Sequence, residues 1–298
     1  MRWTIDARDA GKRLDKLVAQ RCGGLARRRV TELFAEGAVR VAARLAKKGE
    51  RALVGALVSV DLSPDGLSAD PTTPLAVRWE SPHFIVVSKP AGQPSVALRG
   101  SKLTSLAAVL AGRYPELRTL KPWFEAGLVH RLDSQTSGLL IAAKTQRAYA
   151  ALRAIMSAGQ IVKRYLALVS GTDLPDSGII DLGLKPRPRR TREVQTCPKD
   201  TPGAYPARTE WRVVRRAVRG ILVEATVHRA YRHQIRAHFA ALGFPILGDA
   251  LYGGKYLEEL GARHALHASY VAWGGNAEFE GFEVCDALPS ELARLLEE

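Results

Sequence analysis

One short segment concentrates the residue types that acid–base and nucleophilic chemistry needs. Val129-His130-Arg131-Leu132-Asp133-Ser134-Gln135-Thr136-Ser137-Gly138 places a carboxylate among small hydroxyl side chains and a glycine, directly before an apolar run. Two readings are open on these residues alone. Asp133 can cap nearby N–H groups in a turn, with Gly138 supplying a position of positive φ. Alternatively it is a catalytic acid, base or nucleophile. A second segment bears on the choice. His233-Gln234-Ile235-Arg236-Ala237-His238 opens a helix, and GFPILGDALYG (243–253) follows it. An Arg near a helix start, with an amide and imidazoles beside it, can hold an anion or a buried carboxylate. A buried Asp needs such a partner to stay ionised, because desolvation alone raises its pKa. The alternative for Arg236 is a surface residue facing solvent.

Charge narrows the partners. The 298 residues carry 44 Lys/Arg against 30 Asp/Glu, a net +14. Residues 1–60 hold 14 Lys/Arg and 6 Asp/Glu, so +8 of the excess lies there. Such concentration points to a polyanion, through a phosphate-binding module, over a mere solubility surface. Walker-type GxxxxGK[ST], GxGxxG and HExxH patterns are absent, so a nucleotide cofactor or zinc-protease chemistry lacks its usual anchors. Histidines 228, 233 and 238 are five apart, and 264 and 267 three apart, so no helical i, i+4 ligand pair forms and no metal is expected. Histidines that hydrogen-bond in the core, or touch RNA, are the better reading. Three scattered cysteines (Cys22, Cys197, Cys285) suit neither a disulfide scaffold nor a zinc site and fit a reducing cytoplasm. No apolar stretch is long enough to span a membrane, and the first ten residues resemble no secretory signal.

The elements that must position these groups divide into two parts. Residues 1–62 read as a small unit: a helix with Leu14, Leu17 and Val18 on one face, and a second carrying Arg27, Arg28 and Arg29 in its first turn. Val30, Leu33 and Phe34 form the second helix's buried stripe, and Gly37 ends it. Short strands follow at Val39–Val41 and Leu57–Val60. Residues 63–74, with three prolines and no Lys or Arg, read as a linker. The larger region, 75–298, groups strands (84–88, 139–143, 165–169, 211–214, 221–227) with helices at 146–157 and 234–242. Residues 185–206 read as a mobile basic loop. Without regular βαβ alternation the class is α+β.

Five blocks then match a known family in order: FIVVSKPAGQPS (84–95), HRLDSQTSGLLIAAKT (130–145), KRYLALVSG (163–171), HQIRAHFAALGFPILGDALYGG (233–254) and ALHASYVAW (265–273). The chain resembles the RluA-type RNA pseudouridine synthases over about 84–275. Its N-terminal unit resembles the S-four-like RNA-binding domain. The resemblance implies a mixed, largely antiparallel central sheet with flanking helices. It casts Asp133 as the catalytic aspartate, Tyr165 as the tyrosine stacking on the target base, and Arg236 as the aspartate's basic partner. Leu266 lines the pocket, Arg131 helps open the RNA, and Thr136 and Ser137 shape the catalytic loop on the substrate side. His233 and Gln234 are assigned to the substrate. Lys12, Arg13, Arg27, Arg28 and Arg29, with Arg187, Arg189 and Arg190, are assigned to RNA phosphates.

Two departures stand out. Relatives read GRTHQIR, where this chain has Ala230-Tyr231-Arg232 before HQIR; the loop shape and RNA contacts should change, activity should survive, and the target should be atypical. The module's usual Val-Asn-Gly turn is replaced by Val41-Ala42-Ala43, so a looser or longer hairpin is expected. The implied reaction breaks the ribose–N1 bond of uridine and rejoins ribose to C5, calling for no cofactor and no metal. Asp133 acts either as nucleophile at the anomeric carbon or as base at the 2′ carbon. Ribosomal RNA is expected as partner ahead of tRNA, with a monomer in the cytoplasm. The competing readings are a non-catalytic RNA-binding or ribosome-assembly protein that retains the fold, and a hydrolase acting on small nucleosides.

Overall fold

The computed structural model describes residues 1–23, 25–35, 37–60, 69–98, 103–188 and 190–297, without the side chains of Arg28, Arg190, Thr191 and Arg192. Two compact units emerge. One is Met1–Ser68 with Lys121–Phe124; the other is Ala69–Leu120 with Glu125–Glu298.

In the first unit, strands β1 (Arg2–Thr4), β2 (Val39–Val41), β3 (Arg44–Leu45) and β4 (Leu57–Val60) form a sheet of order β1-β4-β2-β3. Helices α1 (Leu14–Arg21) and α2 (Arg27–Ala35) accompany it. Leu14, Leu17, Val18, Val30 and Leu33 are buried with Val39, Val58 and Val60. Phe34 is only half-buried against this core. The expectation of a looser hairpin at Val41-Ala42-Ala43 is overturned. Val41 pairs with Arg44, leaving a two-residue turn in which Ala42 and Ala43 both take positive φ, 47° and 69°. The strand twist demands this mirror-image turn, so the alanines accept its strain.

The second unit is built on a ten-stranded sheet. Its strands are β5 (Ala76–Glu80), β6 (Phe84–Lys89), β7 (Ser137–Ala143), β8 (Val162–Val169), β9 (Ser177–Arg187), β10 (Arg190–Cys197), β11 (Tyr205–Ala217), β12 (Gly220–Val227), β13 (Leu266–Trp273) and β14 (Phe282–Cys285). The order is β10-β9-β11-β12-β8-β13-β7-β6-β5, with β14 also on β13. Among the described strands only β13 and β7 pair in parallel, and only through His267–Ser137 and Ala268–Gly138. That short seam joins two antiparallel halves. The helices are α3 (Leu106–Arg113), α4 (Gln146–Ser157), α5 (Gln234–Ala241) and α6 (Ser290–Ala293). Tyr149, Leu152 and Ile155 of α4 pack with Phe84, Ile141 and Trp273. Ile235 and Phe239 of α5 pack with Tyr165, Val223 and Trp211. The α+β class with a largely antiparallel sheet is therefore what the chain adopts.

One expectation needs correction. Most of residues 185–206 form a β-hairpin instead of a mobile loop. Lys185 pairs with Gln195 and Pro186 with Val194. Strand β11 pairs with β9 only as far as Leu184, opposite Tyr205, so Pro186 sits where one side of β9 has no partner and its missing N–H costs little. Of the 63–74 linker, 63–68 lie outside the described residues. Residues 70–73 form a tight turn: the Asp70 carboxylate accepts from the Thr72 and Thr73 hydroxyls and backbone N–H groups, and the Asp70 N–H donates to the Ala108 carbonyl of α3. Among the described residues, no helix is long and apolar enough to cross a membrane.

Candidate active site

Asp133 lies on the loop that feeds β7 at the parallel seam. Its carbonyl accepts the Thr136 N–H at 3.0 Å, closing a turn. The loop is fastened from several sides. Ser95 Oγ both accepts the Leu132 N–H and donates to the Leu132 carbonyl. Thr136 Oγ1 bonds His264 Nε2 at 2.7 Å, and Ser137 Oγ bonds His267 Nδ1 at 2.8 Å. Lys89, fully buried, spends its three N–H bonds on the carbonyls of Pro90, Gln93 and Ser134. Burial lowers its pKa to about 7; Asp133 opposes the shift and Arg263 adds to it. At Gly138 a Cβ would stand 2.2 Å from the Ala268 carbonyl oxygen, with φ at +112°, so only glycine lets β7 and β13 approach. The turn expected around Asp133 and Gly138 thus exists, and it presents the carboxylate instead of consuming it.

Arg236 comes from the first turn of α5. The helix start is set by Gln234, whose amide donates to the Arg208 carbonyl and Thr209 Oγ1 and accepts from the Tyr231 N–H. Preceding it, His233 occupies the left-handed region, φ 55° and ψ 17°. The Arg236 guanidinium then meets two carboxylates. Nε and Nη2 donate to Asp249 at 2.6 and 2.8 Å, and Nη1 donates to Asp133 Oδ2 at 2.7 Å. Its plane also lies over Tyr252, 5.1 Å from the ring centre. The surface alternative for Arg236 is excluded, since it is 7% exposed.

Electrostatics favour an ionised Asp133. Burial pushes its carboxyl up, but the imidazole of His233 and the guanidinium of Arg236 outweigh that and leave it below the usual range. Burial also holds His233 neutral, lowering it to about 4, so near pH 7 the net positive charge facing Asp133 is Arg236. One oxygen, Oδ2, is tied to Arg236. The other, Oδ1, has His233 Nε2 at 3.6 Å, beyond hydrogen-bond length. The arrangement offers one ionised, partly exposed carboxylate with one uncommitted oxygen, as attack on an electrophilic carbon or removal of a proton requires.

Tyr165 and Leu266 come from the sheet. Tyr165 stands on β8 between Ala225 of β12 and Ala268 of β13. Directly paired residues share a face, so small side chains flank the ring on both sides. Burial, then the charge of Asp133, drives its hydroxyl upward in pKa, so it stays protonated. Leu266 pairs with Ala167, two residues along β8, and is buried. Leu132, beside Asp133, packs on the same cluster.

Other sequence-derived positions fall differently. Thr136, Ser137 and Gln234 are buried and bonded to protein groups, which holds the loop and the helix start. Arg131 is exposed. Lys12 pairs with Asp9, Arg13 with Asp15 and Arg187 with Glu193, which spends part of the basic excess locally; Arg29 lies 3.7 Å from Glu32, and Arg27 is exposed. Arg189, and the side chains of Arg28 and Arg190, lie outside the described residues. The Tyr231 ring stacks on Tyr205, centroids 5.3 Å apart. Sequence reasoning left Lys89, Asp249 and Tyr252 without roles. Lys89 was legible only as the one charge ending an apolar strand, and Asp249 only as an acid inside an apolar block.

A family model described as RNA pseudouridylate synthase matches residues 83–241. Ribosomal large subunit pseudouridine synthase D of Xylella fastidiosa is 30% identical, over 98% of this chain and 90% of that protein. An uncharacterized RNA pseudouridine synthase of Mycobacterium bovis is 32% identical, over 96% of the chain and 94% of the relative. Among solved structures, human RNA pseudouridylate synthase domain containing 4 aligns with TM-score 0.59 at 22% identity, covering 74% of this chain and 92% of that one. Human RNA pseudouridylate synthase domain containing 1 aligns with TM-score 0.56 at 24% identity, covering 76% and 86%.

Proposed function

Because this chain belongs to the RNA pseudouridylate synthase family, we propose that it isomerises specific uridines of large-subunit ribosomal RNA, with Asp133 as the catalytic carboxylate. The reaction type follows from the family; the RNA target and the residue roles are the proposal. The observation that carries the site assignment is the Asp133 Oδ2–Arg236 Nη1 bond at 2.7 Å, which leaves Oδ1 uncommitted. Oδ1 either attacks the anomeric carbon or takes the 2′-carbon proton; both routes detach uracil for rejoining through C5. Tyr165, between two alanines, stacks on the base.

A uridine in a stem reaches this carboxylate only after flipping out, at a cost of a few kcal/mol. Exposed Arg131 takes the vacated space. Phosphates are held by the basic N-terminal unit, read as an S-four-like domain and including Lys12, Arg13 and Arg27, and by the β9–β10 hairpin with Arg187. Isomerisation changes no oxidation state and transfers no outside group, so the reading calls for no nucleotide cofactor and no metal. It places a monomer in the cytoplasm. Large-subunit ribosomal RNA is favoured by the relatives named ribosomal large subunit pseudouridine synthase D.

The test is tritium release from RNA labelled at uracil C5, comparing ribosomal and tRNA transcripts, with Asp133→Asn as control. Release by the wild type on ribosomal RNA, lost in the variant while salt-sensitive binding persists, supports the reading. Release on tRNA alone overturns the target. Binding without release from any transcript or assembling particle favours the RNA-binding or assembly reading.

A further inference from the structure

His233 is held in an unfavourable backbone conformation, and its ring bridges two groups of unequal kind. Nδ1 lies 2.9 Å from Tyr252 Oη, and Nε2 lies 3.6 Å from Asp133 Oδ1. Tyr252 Oη already accepts the Val194 backbone N–H at 2.9 Å. Among the described residues its own proton has one acceptor within reach, His233 Nδ1. A neutral imidazole carries one N–H. If Tyr252 donates to Nδ1, that N–H must be on Nε2, the nitrogen turned toward Asp133. The left-handed φ of 55° at a non-glycine residue is what brings the ring there, and such strain persists at positions the surroundings over-determine.

We propose that Tyr252 locks His233 in its Nε2–H tautomer, and that this N–H positions the reactive Oδ1 of Asp133 while Arg236 holds Oδ2. His233 is thus a positioning residue, in place of the substrate contact expected from sequence. The two donors differ in kind. Arg236 is charged and takes its oxygen at full hydrogen-bond strength. His233 is neutral and stands off, orienting Oδ1 without tying it up. The charged and titratable groups facing His233 are Asp133, Asp249, Arg236, Arg232, Tyr252 and His264. The kinetic part rests on Asp133 being the catalytic carboxylate; the tautomer and the Asp133 titration do not.

Four variants separate side chain from backbone. His233→Gly and His233→Asn suit the left-handed conformation but put no N–H at the Nε2 position. His233→Gln reaches that position with an amide N–H. Tyr252→Phe removes the lock, together with the acceptor of the Val194 N–H. Ring 15N spectra of the wild type should show protonated Nε2 and bare Nδ1 at neutral pH, and Tyr252→Phe should give a tautomer mixture. The Asp133 carboxyl, followed by 13C, should titrate at higher pH in His233→Gly than in wild type. Single-turnover isomerisation should fall on the order of 10-fold in His233→Gly and His233→Asn, as Oδ1 loses the dipole that orients it, with RNA affinity unchanged. His233→Gln should regain most of it. A protonated Nδ1 in the wild type overturns the proposal, as does an unmoved Asp133 titration. So does full activity in His233→Asn, or a Gln variant no better than Gly. If these resonances behave as stated but no RNA is isomerised, the function reading fails and the positioning stands.

Discussion

Arg236 grips Asp249 through two hydrogen bonds, at 2.6 and 2.8 Å, and Asp249 is 1% exposed. This forked pair fixes the guanidinium, and its third nitrogen donates to Asp133 Oδ2. The carboxylate at the centre of the site is therefore oriented by a second, deeper carboxylate that never meets solvent.

Removing the guanidinium strands that buried charge. Arg236→Gln should cost about 3–5 kcal/mol of stability, the range for breaking one side of a buried ion pair. It should also raise the Asp133 pKa. Urea unfolding reads the first effect, and a loss under about 1 kcal/mol would contradict the buried pairing.

Stability should fall with acid earlier than carboxylates alone would dictate. His233, His238 and His264 are buried neutral, each lowered to about 4 by desolvation first. Unfolded, they titrate near 6.5. Between these values the unfolded chain binds more protons, so the stability present above pH 6.5 is lost as pH falls toward 4. Asp133, lowered by its partners, adds a loss only below about 3.9. Thermal midpoints measured from pH 8 to 4 should drop across this window; a flat profile would contradict the buried neutral state.

The parallel seam tolerates no side chain at Gly138. Gly138→Ala brings both the positive φ and a 2.2 Å clash with the Ala268 carbonyl. On the order of 4 kcal/mol should be lost from backbone strain plus overpacking. Circular dichroism melts check this, and an unchanged midpoint would mean that the seam opens freely.

Relieving strain should help the first unit. Replacing Ala42 and Ala43 by Asn and Gly, residues suited to two successive positive φ values, should stabilise it by about 1 kcal/mol. Slower amide exchange in β2 and β4 is the expected readout; faster exchange would argue against the two-residue turn.

Much was legible in the chain because local patterns survive folding. Helix α4 follows from Tyr149, Leu152 and Ile155 at helical spacing, and β6 from an unbroken apolar run. The basic stretch after Lys185 misled because prolines and arginines look like loop wherever pairing partners are unseen. Strand β9 accommodates Pro186 only because β11 ends alongside Leu184.

The sequence alone determined the reaction class, through five blocks in order around HRLD and HQIR, and it singled out Asp133, Tyr165 and Arg236. Side-chain chemistry and local periodicity are written residue by residue, so they could be read there. The tertiary structure decided which oxygen of Asp133 is free, which partner fixes Arg236, and that Thr136, Ser137 and Gln234 serve as fastenings. Those outcomes depend on contacts between residues up to 130 positions apart, such as Ser137 with His267. Distances of this kind exist only once β7 and β13 lie side by side.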